Sequence, residues 1–175
     1  MKHHLSVLLV AGSICFIVSC QKESIVAPET GNKPISVNAK MNKLGVPFKA
    51  SFETASRPLA FPPILRLETT GTGIGSHIGK STLLAYPTIN FRTNPISVSG
   101  TLVITAANGD EIFASFTGTR SATNATILAF TIHATYIITG GTGRFQNASG
   151  SFEGISTGTL GIHTGTASYE GYISY

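Results

Sequence analysis

Ile96-Ser97-Val98-Ser99-Gly100-Thr101-Leu102-Val103-Ile104-Thr105, followed by Ala106-Ala107-Asn108-Gly109-Asp110 and then Glu111-Ile112-Phe113-Ala114-Ser115-Phe116-Thr117-Gly118-Thr119, is the stretch that decides the fold. Ile96, Val98, Gly100, Leu102 and Ile104 fall on one face of an extended chain, with Ser97, Ser99, Thr101 and Thr105 among the residues between them. A period of two is the mark of a strand buried on one side only. Asn108-Gly109 between two such runs is the strongest short hairpin signal, because both residues tolerate the positive φ that a tight two-strand turn requires. The return strand points Ile112, Ala114 and Phe116 to one face.

The same alternation recurs outward from this hairpin, and no window shows a convincing 3.6-residue period. Phe48, Ala50 and Phe52 share a face, with Lys49, Ser51 and Glu53 opposite. The longest run, Thr126 to Thr139, sets Leu128, Phe130, Ile132, Ala134, Tyr136 and Ile138 against Ala129, Thr131, His133 and Thr135. Fully extended it spans about 45 Å, so it is expected to bend at a bulge or to cross a tilted barrel. Further strands are read at Ser149–Thr157 and Thr166–Tyr175. About eight successive, hairpin-linked strands predict an all-β domain, a single antiparallel β-barrel whose closure removes exposed edges, with a β-sandwich as the alternative. An interior of that size is either filled by side chains or holds one small ligand.

The N-terminus carries a different message. Lys2, with His3 and His4, precedes the apolar run Leu5–Val18, too short to span a bilayer comfortably and the right length for a signal segment. Ile17-Val18-Ser19-Cys20 then fits a lipobox, with an aliphatic residue at −3, a small one at −1 and cysteine at +1. Residues 1–19 read as a lipoprotein signal peptide, 20–42 as a lipidated flexible tether broken by Pro28, Gly31 and Pro34, and 43–175 as the barrel domain. As a flexible coil, a tether of this length has an end-to-end distance of about 25 Å. Cys15 leaves with the signal and Cys20 is acylated, so no disulfide is expected. Cys20-Gln21-Lys22-Glu23 resembles the start of many Bacteroidota lipoproteins, which implies an outer-membrane position in a Gram-negative cell envelope.

Only 11% of residues are charged, while sixteen of the 19 glycines lie between Gly71 and Gly171; this composition points away from a helical domain. The net charge is +4, and Lys22, Lys33, Lys40, Lys43, Lys49, Arg57 and Arg66 are not interleaved with aromatics on one element. Such a distribution suits a solvated segment beside an anionic membrane and excludes nucleic acid as the expected partner.

Gly140-Gly141-Thr142-Gly143-Arg144-Phe145, with Ala148, Gly150 and Phe152 after it, resembles a segment shared by dirigent proteins and allene oxide cyclases. Gly71-Thr72-Gly73-Ile74-Gly75-Ser76-His77-Ile78-Gly79-Lys80 is similar to a segment of uncharacterised secreted bacterial proteins that share the later motif. The resemblance implies a calycin-like eight-stranded barrel in which the 140–150 stretch makes a sharp structural turn and Phe145 and Phe152 plug one end. Family catalytic residues do not carry over: the only aspartate, Asp110, falls in the hairpin turn.

Gly71, Gly73 and Gly75 lie between β-type segments, which excludes a Rossmann loop and suggests a bulged or tightly curved strand. His77, His133 and His163 belong to different strands and are expected to hold no metal; His77 is expected to bond a backbone carbonyl near the barrel rim. Glu68 and Glu153 sit among apolar neighbours, so an interior glutamate with a raised pKa is a conceivable acid–base group. His77, Glu68 and Glu153 are therefore the ligand-site candidates, with no cofactor, no metal and no catalytic set expected. The leading expectation is a non-catalytic binding module for a small apolar ligand, held at a membrane through Cys20. A barrel isomerase or cyclase-like enzyme and a purely structural envelope protein are the alternatives. Cys20→Ala is expected to move the protein from the membrane fraction to the soluble one, and material that stays with membranes after a high-salt wash would contradict the lipid anchor.

Overall fold

The alternation becomes eight strands in the computed structural model, which describes residues 45–124, 129–159 and 163–175. These are β1 (Val46–Ala60), β2 (Ile64–Gly75), β3 (Gly79–Asn90), β4 (Ile96–Thr105), β5 (Glu111–Asn124), β6 (Ala129–Gly141), β7 (Ser149–Thr159) and β8 (Thr164–Ser174). Each pairs antiparallel with its sequence neighbour, and β1 pairs with β8 from Val46↔Ile173 to Ala55↔Thr164. The sheet is thus a closed up-and-down barrel, not a sandwich. Cys20 and the residues expected to form a signal segment and a tether lie outside the described residues.

Several strands run past the limits read in the sequence, β5 the furthest. β5 continues beyond Thr119, where Arg120 and Ser121 still pair with Ile132 and Thr131 of β6. β6 is described from Ala129, so residues 126–128 of the expected long run fall outside the described set. The expected bulge is at its far end. Pairing passes from Phe113↔Gly140 to Ala114↔Ile138, which leaves Thr139 unmatched.

Gly71, Gly73 and Gly75 do not bulge. Their pairing with β3 holds one register from Thr69↔Ala85 to Gly75↔Gly79. They serve close approach instead: a Cβ on Gly73 would lie 2.0 Å from the Ser51 carbonyl oxygen and 2.7 Å from the Phe52 ring.

Inward residues form one core, in which Phe48, Phe152, Ile104, Ile112 and Ile173 are at most 2% exposed. Its centre is an aromatic stack, with Tyr136 against Phe152 at 5.0 Å, Phe116 at 4.8 Å and Tyr169 at 5.1 Å between ring centroids. The outer face is rich in hydroxyls, and cross-strand pairs such as Thr157–Thr166 hydrogen-bond at 2.9 Å. An apolar inside and a polar outside is the reverse of a membrane-spanning barrel.

The β6–β7 turn seals one end. Gly140, Gly143 and Gly150 take φ of 137°, 53° and 132°, and a single 3-10 turn, Gly143–Phe145, sends the fully buried Phe145 into the barrel. Gly141 has an ordinary φ but no room for a side chain, since a Cβ would stand 2.1 Å from the Glu111 carbonyl oxygen. Three turns meet at this end. Asp110 accepts the Arg144 backbone N–H at 3.2 Å, and the Arg144 guanidinium donates to the His77 carbonyl oxygen while lying 4.7 Å from the Phe145 ring centroid. Phe145 also meets Tyr175 edge-on at 5.0 Å.

Gly143 accepts a substitution poorly, because a Cβ there would overlap Asp110 Oδ1 at 1.8 Å on a backbone of positive φ. Gly143→Val is expected to cost a few kcal/mol, about 3, from combined strain and clash. A thermal melt checks this, and a midpoint shift under about 2 °C would show that the turn does not need this conformation.

Candidate functional site: a cavity at the open end of the barrel

The described residues do not fill the end opposite Phe145. Inward residues there are shorter: Thr54 and Ser56 on β1, Thr69 on β2, Ala85 on β3, and Gly158, Gly165 and Ala167 on β7 and β8. They leave a cavity of about 280 Å³. Leu65, Leu67, Leu83, Val98 and Ile132 form its walls, and Phe61, Phe91 and Phe130 its rim. A broader concavity of about 1100 Å³ over the outer faces of β1 to β3 is an open surface depression lined by groups such as Glu53, Thr72 and Lys80. The enclosed one is the candidate site, because apolar walls that exclude water strengthen any contact made inside them.

Polar groups are few and specifically placed. Tyr136 and Tyr169, each about 5% exposed, stand at the cavity floor beside Ser156. Burial, then the charge and hydrogen bond of Tyr136, hold the Tyr169 phenol well above its usual range; burial also raises Tyr136, opposed by hydrogen bonds with Tyr169 and Ser156. Both phenols are therefore neutral at physiological pH, and their oxygens are hydrogen-bonding groups rather than anions. On the wall, the Ser56 and Thr69 hydroxyls are 2.8 Å apart and satisfy each other. His163 closes the mouth: its carbonyl accepts the Ser56 N–H at 2.7 Å from a residue with φ of 62°.

The residues singled out from the sequence lie elsewhere. Glu68 faces outward from β2, where Arg57 grips both its oxygens at 2.7 and 2.8 Å and the Tyr86 hydroxyl approaches at 3.4 Å. Hydrogen bonding to Arg57 holds its carboxyl below the usual range against partial burial, the opposite of the raised value considered for it. Glu153 is exposed on β7, accepting the Thr135 hydroxyl at 2.9 Å. Neither is an interior glutamate. Odd-numbered residues of β2 and even-numbered residues of β7 face the core, and the two glutamates have the other parity. His77 sits in the β2–β3 turn at the sealed end, with φ of 64° and Nε2 3.1 Å from the Pro47 carbonyl oxygen, as a rim histidine would be. His133 is exposed on the outer face of β6. The three histidines do not converge, and among the described residues no group of His, Cys, Asp or Glu could hold a metal.

The chain matches no family model, no curated protein and no solved structure. The cavity must therefore be read from its own geometry.

Glu68 offers a direct check of the outward assignment. Its lowered pKa means that the Arg57 pair stabilises the fold above the unfolded-state pKa of a glutamate, near 4.3, and is lost as pH falls through the lower folded-state value. Carboxyl NMR titration is expected to place Glu68 below the ordinary range in the wild type and to move it upward in Arg57→Ala. A Glu68 that titrates above pH ~6 would put it inside the barrel.

Proposed function

We propose that this protein is a lipid-anchored envelope protein whose barrel binds a small apolar ligand without transforming it. The observation that carries the reading is the unequal filling of one interior: solid aromatic packing at the sealed end and an apolar cavity of about 280 Å³ at the other. That volume lies at the lower edge of the range typical of small-molecule sites. The wall supplies hydrophobic contact, and the neutral phenols at the floor give a ligand's carbonyl or hydroxyl something to bond. The membrane anchor rests on the Ile17–Cys20 lipobox and the apolar run before it. The likeness of the 140–152 turn to dirigent proteins and allene oxide cyclases fits this reading, since that likeness implies a related barrel.

A binding role is favoured over a cyclase-like one by the placement of the acids. Glu68, Glu153 and His77 do not share the cavity; its floor carries the phenols Tyr136 and Tyr169, which burial keeps neutral, and the one imidazole among its described lining residues, His163, stands at the mouth with no carboxylate beside it in that lining. A purely structural role is disfavoured by the cavity itself, because unfilled apolar volume costs stability that a solid barrel would retain.

Filling the cavity tests the reading. Ala85→Leu on β3 adds three carbons to the wall and is expected to leave the melting midpoint unchanged or raised while weakening binding of small hydrophobic probes. In a barrel with no free volume the same change would be overpacked and would cost about 1–3 kcal/mol. A sharply lowered midpoint, or unchanged probe binding, would contradict the proposal.

A further inference from the structure

Among the described residues, one charged side chain faces inward at the open end. Arg120 continues the inward row of β5 formed by Ile112, Ala114, Phe116 and Gly118, and its strand neighbours are Ile96 on β4 and Ile132 on β6. Its guanidinium carbon lies 4.7 Å from the Phe130 ring centroid and 5.4 Å from that of Phe91. Both rings belong to the cavity rim. Partial burial pushes the Arg120 pKa down from its usual value, so its charge is held at a cost.

What offsets this cost is not a carboxylate of the barrel. Lys49 takes Glu170, Arg57 takes Glu68, and Arg144 approaches Asp110 at the far end. Glu111 starts β5 at that same sealed end, while Glu53 and Glu153 are on the outer face. Among the described residues, Arg120 forms no ion pair. Stacking uses the flat faces of the guanidinium and leaves its in-plane N–H donors for another group. A cation stacked on two rings of an apolar cavity's rim is a feature that hydrophobic packing alone does not call for.

We propose that the cavity takes an anionic amphiphile, with its tail between Leu65, Leu67 and Ile132 and its acidic head on Arg120. The proposal rests on the cavity being a binding site and names the class of ligand. A cavity of ~150 Å³ admits benzene, so one of about 280 Å³ holds about ten heavy atoms. An eight-carbon monocarboxylate fits that size, and a phosphate or sulfonate head shares the same chemistry at the guanidinium.

Calorimetric titration of the full chain carrying Cys20→Ala, which bears no acyl group, tests the proposal with octanoate and octan-1-ol as probes. The wild-type barrel is expected to bind octanoate more tightly than the alcohol. Arg120→Gln is expected to weaken octanoate by about tenfold or more and to leave the alcohol unchanged, while Arg120→Lys keeps part of the preference. Equal losses for both probes, or no loss for octanoate, would overturn the role of Arg120. Binding of the alcohol alone would overturn the anionic class and leave the cavity reading intact, whereas binding of neither would contradict the cavity reading itself. If Arg120→Gln fails to fold, the preference of the wild type and its retention in Arg120→Lys decide the matter.

Discussion

Closure of the sheet is the constraint on which the rest depends. Once β8 pairs with β1, the interior has a fixed width, and every inward side chain on eight strands draws on the same volume. Large rings can enter only where the facing residue gives way. Gly154 shows this most plainly: a Cβ there would stand 2.5 Å from the Tyr136 ring and 2.8 Å from the Tyr169 ring. Gly100 does the same for Phe116, which a Cβ would meet at 2.8 Å. Glycine costs backbone entropy in a strand, so its use here is explained by the dense aromatic packing it permits.

That distribution of volume makes the two ends unequal. Near Phe145 the interior is packed from all sides, and the Asp110–Arg144–His77 contacts bind three turns together over it. Toward Phe61 and Phe91 several inward positions carry only hydroxyls, alanine or glycine, and the leucines, Val98 and Ile132 between them do not fill the space. The cavity follows from that mismatch. Its walls are apolar, its floor carries two neutral phenols, and Arg120, the inward cation among the described residues, stacks on two rings of its rim, so polarity rises toward the floor and the mouth and is lowest between them. An elongated ligand with an apolar middle matches such a gradient.

Much of this was legible in the sequence. Ile96 to Ile104, Asn108-Gly109 and Ile112 to Phe116 dictated a hairpin, and the structure pairs Ile104 with Ile112 across that turn. The glycines of the 140–150 stretch were readable as a turn because three of them adopt φ values that other residues avoid. Glu68 and Glu153 were misjudged because apolar neighbours were weighed without strand parity; Leu65 and Leu67 face inward, and Glu68 between Leu67 and Thr69 cannot. Arg120 lies one residue past Thr119, where the sequence alternation ends β5, yet it continues the strand's inward row. The cavity was beyond reach for a different reason. It depends on side-chain volumes from strands far apart in sequence, and period-two patterning gives the direction of each side chain but not what stands across the barrel.

The central claim is that free volume is confined to one end of a single closed interior. Methyl NMR under xenon pressure tests it directly, since xenon enters unfilled apolar space and shifts the methyl groups that line it. Shifts confined to Leu65, Leu67, Leu83, Val98 and Ile132, with Ile104, Ile112, Ile138 and Ile173 unmoved, are the predicted result. Shifts spread along the whole barrel, or none at all, would contradict the account.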